Sequence, residues 1–155
     1  MELVFDIPGA PVAKGRPRFS TAAGFVRVHT PAKTQAYEDL VRAYGEKAME
    51  GRPVMGCPLY VKLYLYLPIP KSWSKHKQEL ALSGELLPTG KPDKDNFEKA
   101  IFDALNGVVW LDDCQITDSF TKKRYAALPM TRITIKPIAA FSANQNPKED
   151  MRHAV

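Results

Sequence analysis

Between Leu59 and Leu67 the chain reads LYVKLYLYL, with leucine or valine at every odd position and Tyr60, Lys62, Tyr64 and Tyr66 at the even ones. Strand side chains alternate between the two faces of a sheet, so this run separates an aliphatic face from a tyrosine face as a strand, which the 3.6-residue period of a helix cannot do. Pro68 and Pro70 end it, because proline donates no ladder hydrogen bond. The pattern predicts a central strand. Its tyrosine face has two readings, a platform for stacking nucleobases or a surface covered by a helix or a second subunit, and the covered reading is the commoner one. The run is nine residues long and broken by Lys62, far short of the ~20 residues of a membrane-spanning helix.

Other elements follow from shorter signals. Leu3, Phe5 and Ile7 alternate up to Pro8-Gly9, predicting a first strand. Ala23-Gly24, between Arg18-Phe19-Ser20 and Phe25-Val26-Arg27-Val28, predicts a hairpin. It continues a basic segment, Lys14-Gly15-Arg16-Pro17-Arg18, whose cations are expected to be solvent-accessible. Thr30-Pro31 reads as an N-cap followed by the first helical residue, and Tyr37, Leu40, Val41, Tyr44 and Ala48 then recur at helical spacing over about residues 31–50. Residues 68–92, rich in Pro, Lys, Ser and Gly around a short helix from Lys75 to Ser83, read as a basic insertion rather than a domain. Strand-like stretches run from Gln115 to Ala127 and from Met130 to Lys136. The polar residues 139–155 read as a flexible tail beyond a single domain at 1–138.

A chain of 155 residues, 45% hydrophobic and 25% charged, is large enough to bury roughly 68–70% of its unfolded surface without disulfides or a structural metal. Cys57 and Cys114, with His29, His76 and His153, have no zinc-ligand or disulfide-framework spacing. Both cysteines are expected to be reduced and packed. The N-terminus, carrying Glu2 and Asp6, lacks the apolar segment of a signal peptide, so a cytoplasmic protein is expected. A net charge of +5 favours polyanionic partners. Within this basic chain, residues 85–118 hold eight of the 17 acids: Glu85, Asp93, Asp95, Glu98, Asp103, Asp112, Asp113 and Asp118. Lys14, Arg16 and Arg18 precede that centre and Lys122, Lys123 and Arg124 follow it. This layout suits an enzyme that grips phosphates and holds a divalent cation where it cuts them.

The chemistry concentrates in Asp93-Lys94-Asp95-Asn96-Phe97-Glu98-Lys99 and the helix that follows it. Phe97, Ala100, Ile101, Ala104 and Leu105 share one helical face and read as core, and Asn106-Gly107 supplies the stop. In extended backbone Asp93 and Asp95 point to the same side, while Asn96, Lys99 and Asp103 share another helical face. Two same-side carboxylates repel unless a cation neutralises them, and such oxygens select Mg²⁺ or Mn²⁺. Asp112-Asp113 is the nearest supply of a third, one of the pair reaching the cation. Each residue has a plainer use: Asp93 or Asp95 as a helix cap, Asp112-Asp113 as a solvated turn, and Lys99 as the partner of Asp95 at i,i+4.

The ordered set Asp93-x-Asp95-Asn96-x-x-Lys99-x-x-x-Asp103-Ala104-Leu105, then Trp110-Leu111-Asp112-Asp113-x-Gln115, resembles the RusA-type Holliday junction resolvases, small metal-dependent endonucleases common in phages and prophages. The resemblance spans about residues 1–138, with weaker support from Lys14-Gly15-Arg16-Pro17-Arg18. It implies an α+β fold, a mainly antiparallel or mixed sheet with helices packed on one side in a two-layer sandwich. It implies a homodimer cutting four-way DNA junctions in recombination and repair, with Mg²⁺ as cofactor and Mn²⁺ as substitute. It implies Asp93, Asp95 and Asp113 as catalytic metal ligands and Lys99 as a lysine needed for cleavage. Lys14, Arg16, Arg18, Lys122, Lys123 and Arg124 are the candidate phosphate contacts. Other readings are a nuclease for flaps or other branched DNA and a non-catalytic junction or single-strand binding module. Lys94 between the aspartates and the insertion at 68–92 depart from some members of that family.

Overall fold

The computed structural model describes residues 2–15, 18–20, 24 and 27–139, with the backbone alone at 18–20 and 27–29. The elements are β1 (Leu3–Pro8), β2 (Arg18–Ser20), β3 (Arg27–His29), α1 (Ala32–Met49), β4 (Leu59–Pro68), α2 (Lys75–Ser83), α3 (Lys94–Leu105), a single 3-10 turn (Asp113–Gln115), β5 (Ile116–Ala126) and β6 (Met130–Pro137). Four strands form one sheet in the order β1-β6-β4-β5, with β6 antiparallel to β1 and β4 and with β5 parallel to β4. β2 and β3 pair separately as the expected antiparallel hairpin. The fold is α+β with a mixed sheet, as the resemblance implies.

The alternation in β4 places this strand as expected. Leu59, Val61, Leu63 and Leu65 are fully buried, joined across the ladders by Ile133 and Ile135 of β6 and Leu3 and Ile7 of β1. Phe97, Ala100, Ile101, Ala104 and Leu105 of α3 and Tyr37, Val41 and Met49 of α1 complete the core on that side. Burying each large side chain contributes ~1.5–3 kcal/mol, so this layer dominates the stability. α1 and α3 approach closely because Gly45 sits at their crossing: a Cβ there would lie 2.6 Å from the Leu105 side chain. Tyr37 reaches across the layer, its hydroxyl 2.8 Å from that of buried Thr131. Burial pushes the Tyr37 phenol up to about 12, against the opposing effect of that hydrogen bond.

Two local expectations are corrected. Pro31 rather than Thr30 stands at the N-cap of α1 and supplies no side-chain cap, since its ring has no acceptor. Cys114 is exposed and only Cys57 is partly buried, because Cys114 lies on a surface turn; both are free. The helices pack on the aliphatic face of the sheet, and among the described residues none lies on the tyrosine face of β4, where Tyr60, Tyr64 and Tyr66 are half-buried; cover by a second subunit is the part of that expectation a single chain leaves open. Of the expected tail at 139–155, residues 140–155 lie outside the described residues.

Candidate active site

α3 organises the acidic centre. Its apolar stripe faces the core, which leaves Asp93, Lys94, Asp95, Asn96 and Lys99 exposed at its N-terminal end. Asp93 holds the N-cap position in extended backbone, yet its carboxylate makes no cap hydrogen bond. Two other starts in the chain differ: Ser74 accepts from the Lys77 amide at the head of α2, and Asp112 accepts from the Cys114 amide. The Asp93 carboxylate therefore stays open toward solvent in the positive field of the helix end, where anions are favoured.

Asp95 already belongs to the first turn of α3, so the expectation that Asp93 and Asp95 share an extended segment is corrected. Helix formation begins at Lys94, two residues earlier than that expectation requires. Asp95, Lys99 and Asp103 then follow at i, i+4 and i+8 along the outer side, and at 1.5 Å per residue Asp95 and Asp103 stand ~12 Å apart along the axis. Lys99 pairs at 3.9 Å with Asp103 rather than with Asp95, and its side chain remains 63% exposed.

Asp103 also receives Lys14, 3.2 Å away, while Glu38 of α1 holds the same ammonium. Lys14 is therefore not the free, accessible cation expected. Its backbone amide donates to the Asn96 carbonyl at 2.8 Å, anchoring the basic segment to the first turn of α3. Burial opposes the Lys14 charge, but the Glu38 and Asp103 carboxylates outweigh it and raise its pKa. Gly15 is required beside it, since a Cβ there would stand 2.7 Å from the Pro31 ring.

The second acidic stretch is fixed by Gln115. Its Oε1 accepts from the Leu111 and Asp112 amides at 2.8 and 3.0 Å, while its Nε2 donates to the Met55 and Cys57 carbonyls at 2.8 and 3.0 Å. All four bonds are made by one amide, so the turn bearing Asp112 and Asp113 is tied to the loop before β4. Trp110 anchors the approach through its indole N–H, 2.7 Å from Asn106 Oδ1. Asp112 is spent as the cap, its carboxyl held low by the Cys114 backbone amide and then by Asp113. Asp113 is half-buried and raised, by burial first, then by its hydrogen bond with Asp112 and the negative charges of Asp112 and Asp103.

The acids thus lie along α3 with Asp113 in the field of Asp103. Among the described residues no group of three or more His, Cys, Asp or Glu is placed to hold a metal ion. The donor set, all carboxylate oxygen, suits Mg²⁺ or Mn²⁺ chemically; one chain's described residues do not gather it into a nest.

The candidate phosphate contacts separate. Lys122 and Arg124 project from the uncovered face of β5, while Lys123 projects from the opposite face and donates to the Gly90 and Pro92 carbonyls at 3.0 and 2.9 Å. That grip fixes the segment leading into Asp93, in which the Lys91-Pro92 peptide is cis. Arg16 and the Arg18 side chain lie outside the described residues. Glu38 is not singled out from sequence, and Gln115 and Lys123 are singled out there without these roles, Gln115 as part of the motif and Lys123 as a phosphate contact. Only the tertiary fold reveals them, since their partners lie 24 to 60 residues away.

No helix among the described residues is long and apolar enough to cross a membrane. Residues 8–136 match the family described as Endodeoxyribonuclease RusA. The chain is also similar to the uncharacterized protein YqaN of Bacillus subtilis (strain 168), 37% identical over 138 residues that cover 88% of this chain and 96% of that one. With the open acids at the head of α3, this match over most of the chain places the protein in the RusA endodeoxyribonuclease family.

Proposed function

We propose that the chain is a divalent-metal-dependent endonuclease that resolves four-way DNA junctions by paired phosphodiester hydrolysis, working as a homodimer in recombination and repair. The observation that carries this reading is the Asp93 carboxylate, which stands at a helix N-cap without capping it. Family membership supplies the reaction class. Asp93, Asp95 and Asp113 would hold Mg²⁺, or Mn²⁺ in its place. Such an ion, when bound, supplies an activated water and neutralises charge on the phosphoryl oxygens.

The chain's own groups have separable tasks. Lys99, tethered only loosely by Asp103, can leave that partner to meet a phosphate and stabilise developing charge. Lys14 neutralises Asp103 and keeps the basic segment against α3. Lys122 and Arg124 supply cations from β5 for the backbone, which position DNA without reading its sequence. Three carboxylates that one chain does not gather have a second source in a dimer, the partner chain, and a two-fold enzyme suits a two-fold junction. The single domain at 1–138 carries all these groups, and a cytoplasmic setting with phage or prophage DNA fits them.

The test is a panel of labelled mobile and fixed four-way junctions, flaps and linear duplex, incubated with Mg²⁺ or with EDTA. Symmetric nicks in junctions, present with Mg²⁺ and absent with EDTA, are expected. Preferential cutting of flaps would redirect the reading to other branched DNA, and binding to junctions without cutting in any metal would make the chain a non-catalytic binder.

A further inference from the structure

The face of the sheet turned away from the helices is uncovered among the described residues, and its two halves differ. Toward β1 its charges are internally matched: Arg132 makes a bidentate pair with Asp6 at 2.8 and 3.0 Å, and Lys136 stands 3.5 Å from Glu2. Toward β5 they are not. Register places Tyr60, Lys62, Tyr64 and Tyr66 of β4 beside Asp118, Phe120, Lys122 and Arg124 of β5 on the same face. Against Lys62, Lys122 and Arg124 these register positions supply one carboxylate, Asp118, which accepts from Thr117 at 3.0 Å, while Arg124 donates to the Lys123 carbonyl at 2.8 Å.

Aromatic rings are set among these cations. Tyr64 lies at the centre, its ring 6.4 Å from those of both Tyr66 and Phe120 in edge-to-face geometry. The Lys122 and Lys62 ammonium groups stand 4.0 and 5.1 Å from its centroid. This arrangement keeps the Lys62 and Lys122 ammonium groups on the face, against the Tyr64 ring. Phe120 is 49% exposed on an edge strand, a position at which a phenylalanine gains little from the protein's own core.

We infer that the β4–β5 half of the open sheet face binds single-stranded DNA, its bases stacking on Phe120 and the tyrosine edge and its phosphates meeting Lys62, Lys122 and Arg124. Charge decides the occupant. Stacking a second copy on this face by a two-fold axis along the strands sets the cationic β5 half over β1, whose Asp6 and Glu2 are already engaged. A two-fold axis across the strands sets the cations over one another. Neither offers an acidic counter-surface, whereas a polyanion with stackable bases matches both features. The surface is on the sheet face opposite α3, whose head carries Asp93 and Asp95; it shares Lys122 and Arg124 with the proposed junction contacts, whereas Phe120 and Lys62 belong to it alone and report on it apart from cutting.

The experiment is fluorescence anisotropy of labelled (dT)20 in EDTA, which excludes cleavage, with wild type, Phe120→Ser and Lys62→Ala. Far-UV circular dichroism confirms the fold of each variant, and a duplex of equal length serves as comparison. Phe120→Ser is expected to weaken (dT)20 binding by roughly tenfold or more while changing duplex binding far less. Lys62→Ala is expected to flatten the plot of log affinity against log salt by about 0.7. Unchanged (dT)20 binding in both variants overturns the inference. So does conversion by Phe120→Ser of a sedimenting dimer to monomer with (dT)20 affinity retained, which would identify the face as a subunit interface. Loss of junction cutting, or its absence, leaves this result untouched because the assay contains no metal.

Discussion

Gln115 shows how much can rest on one side chain that carries no charge. Its amide satisfies two N–H groups of the acidic turn and two carbonyls before β4. Gln115→Glu removes both donors and sets a carboxylate against two carbonyl oxygens. Leaving buried groups unsatisfied costs ~1–3 kcal/mol each, so a fall in chemical-denaturation stability of about 2–4 kcal/mol is expected, together with reduced cutting if Asp113 serves the site. An unchanged unfolding midpoint would refute the bridging role. Tyr37 gives a pH signature. Its phenol is raised from 10.0 to about 12 in the folded chain, so the folded state holds its proton more tightly than the unfolded one. The associated stability is complete below pH 10 and lost as pH climbs from 10 through 12, at most about 3 kcal/mol for that shift. Thermal melts should therefore show a steeper decline over this interval in wild type than in Tyr37→Phe; parallel declines would contradict the assignment.

Elements were legible in the sequence where periodicity was strong. The alternation of Leu59 to Leu67, the core stripe of α3 and the short α2 all appear where the pattern puts them. What periodicity could not supply is the start of α3 within a run of polar residues, and that detail moved Asp95 from extended backbone into the helix. Nor could it show that adjacent Lys122, Lys123 and Arg124 divide between two faces with different uses, although alternation along a strand makes that division unavoidable once β5 is assigned. The α1–α3 crossing is a prediction of this scale. Gly45→Val places methyl groups against buried Leu105, and overpacking of that kind costs ~1–3 kcal/mol, offset in part by better helix propensity. A net loss of about 1–2 kcal/mol is expected in denaturant unfolding, and a gain in stability would show that the helices are not in close contact there.

At the scale of the whole molecule, the acidic centre and basic surroundings seen in composition resolve into a carboxylate row along α3, a lysine locked beneath it and a cationic sheet face on the opposite side. The motif residues were legible because their spacing is specific; their assembly was not, because it depends on neighbours distant in the chain or on another chain. A dimer that shares its carboxylates has a testable consequence. Mixing Asp95→Asn with Asp113→Asn protein should restore up to half of the activity per dimer if Asp113 serves the partner's α3, whereas inactivity of the mixed dimer would place all three acids on one chain. The central claim concerns Asp93, and single-turnover cutting of a labelled four-way junction in Mg²⁺ by wild type and Asp93→Asn tests it most directly. The account predicts a fall of at least about 100-fold, ~2.7 kcal/mol of transition-state stabilisation, with junction binding retained or tightened. Equal cutting rates in the two proteins would contradict it.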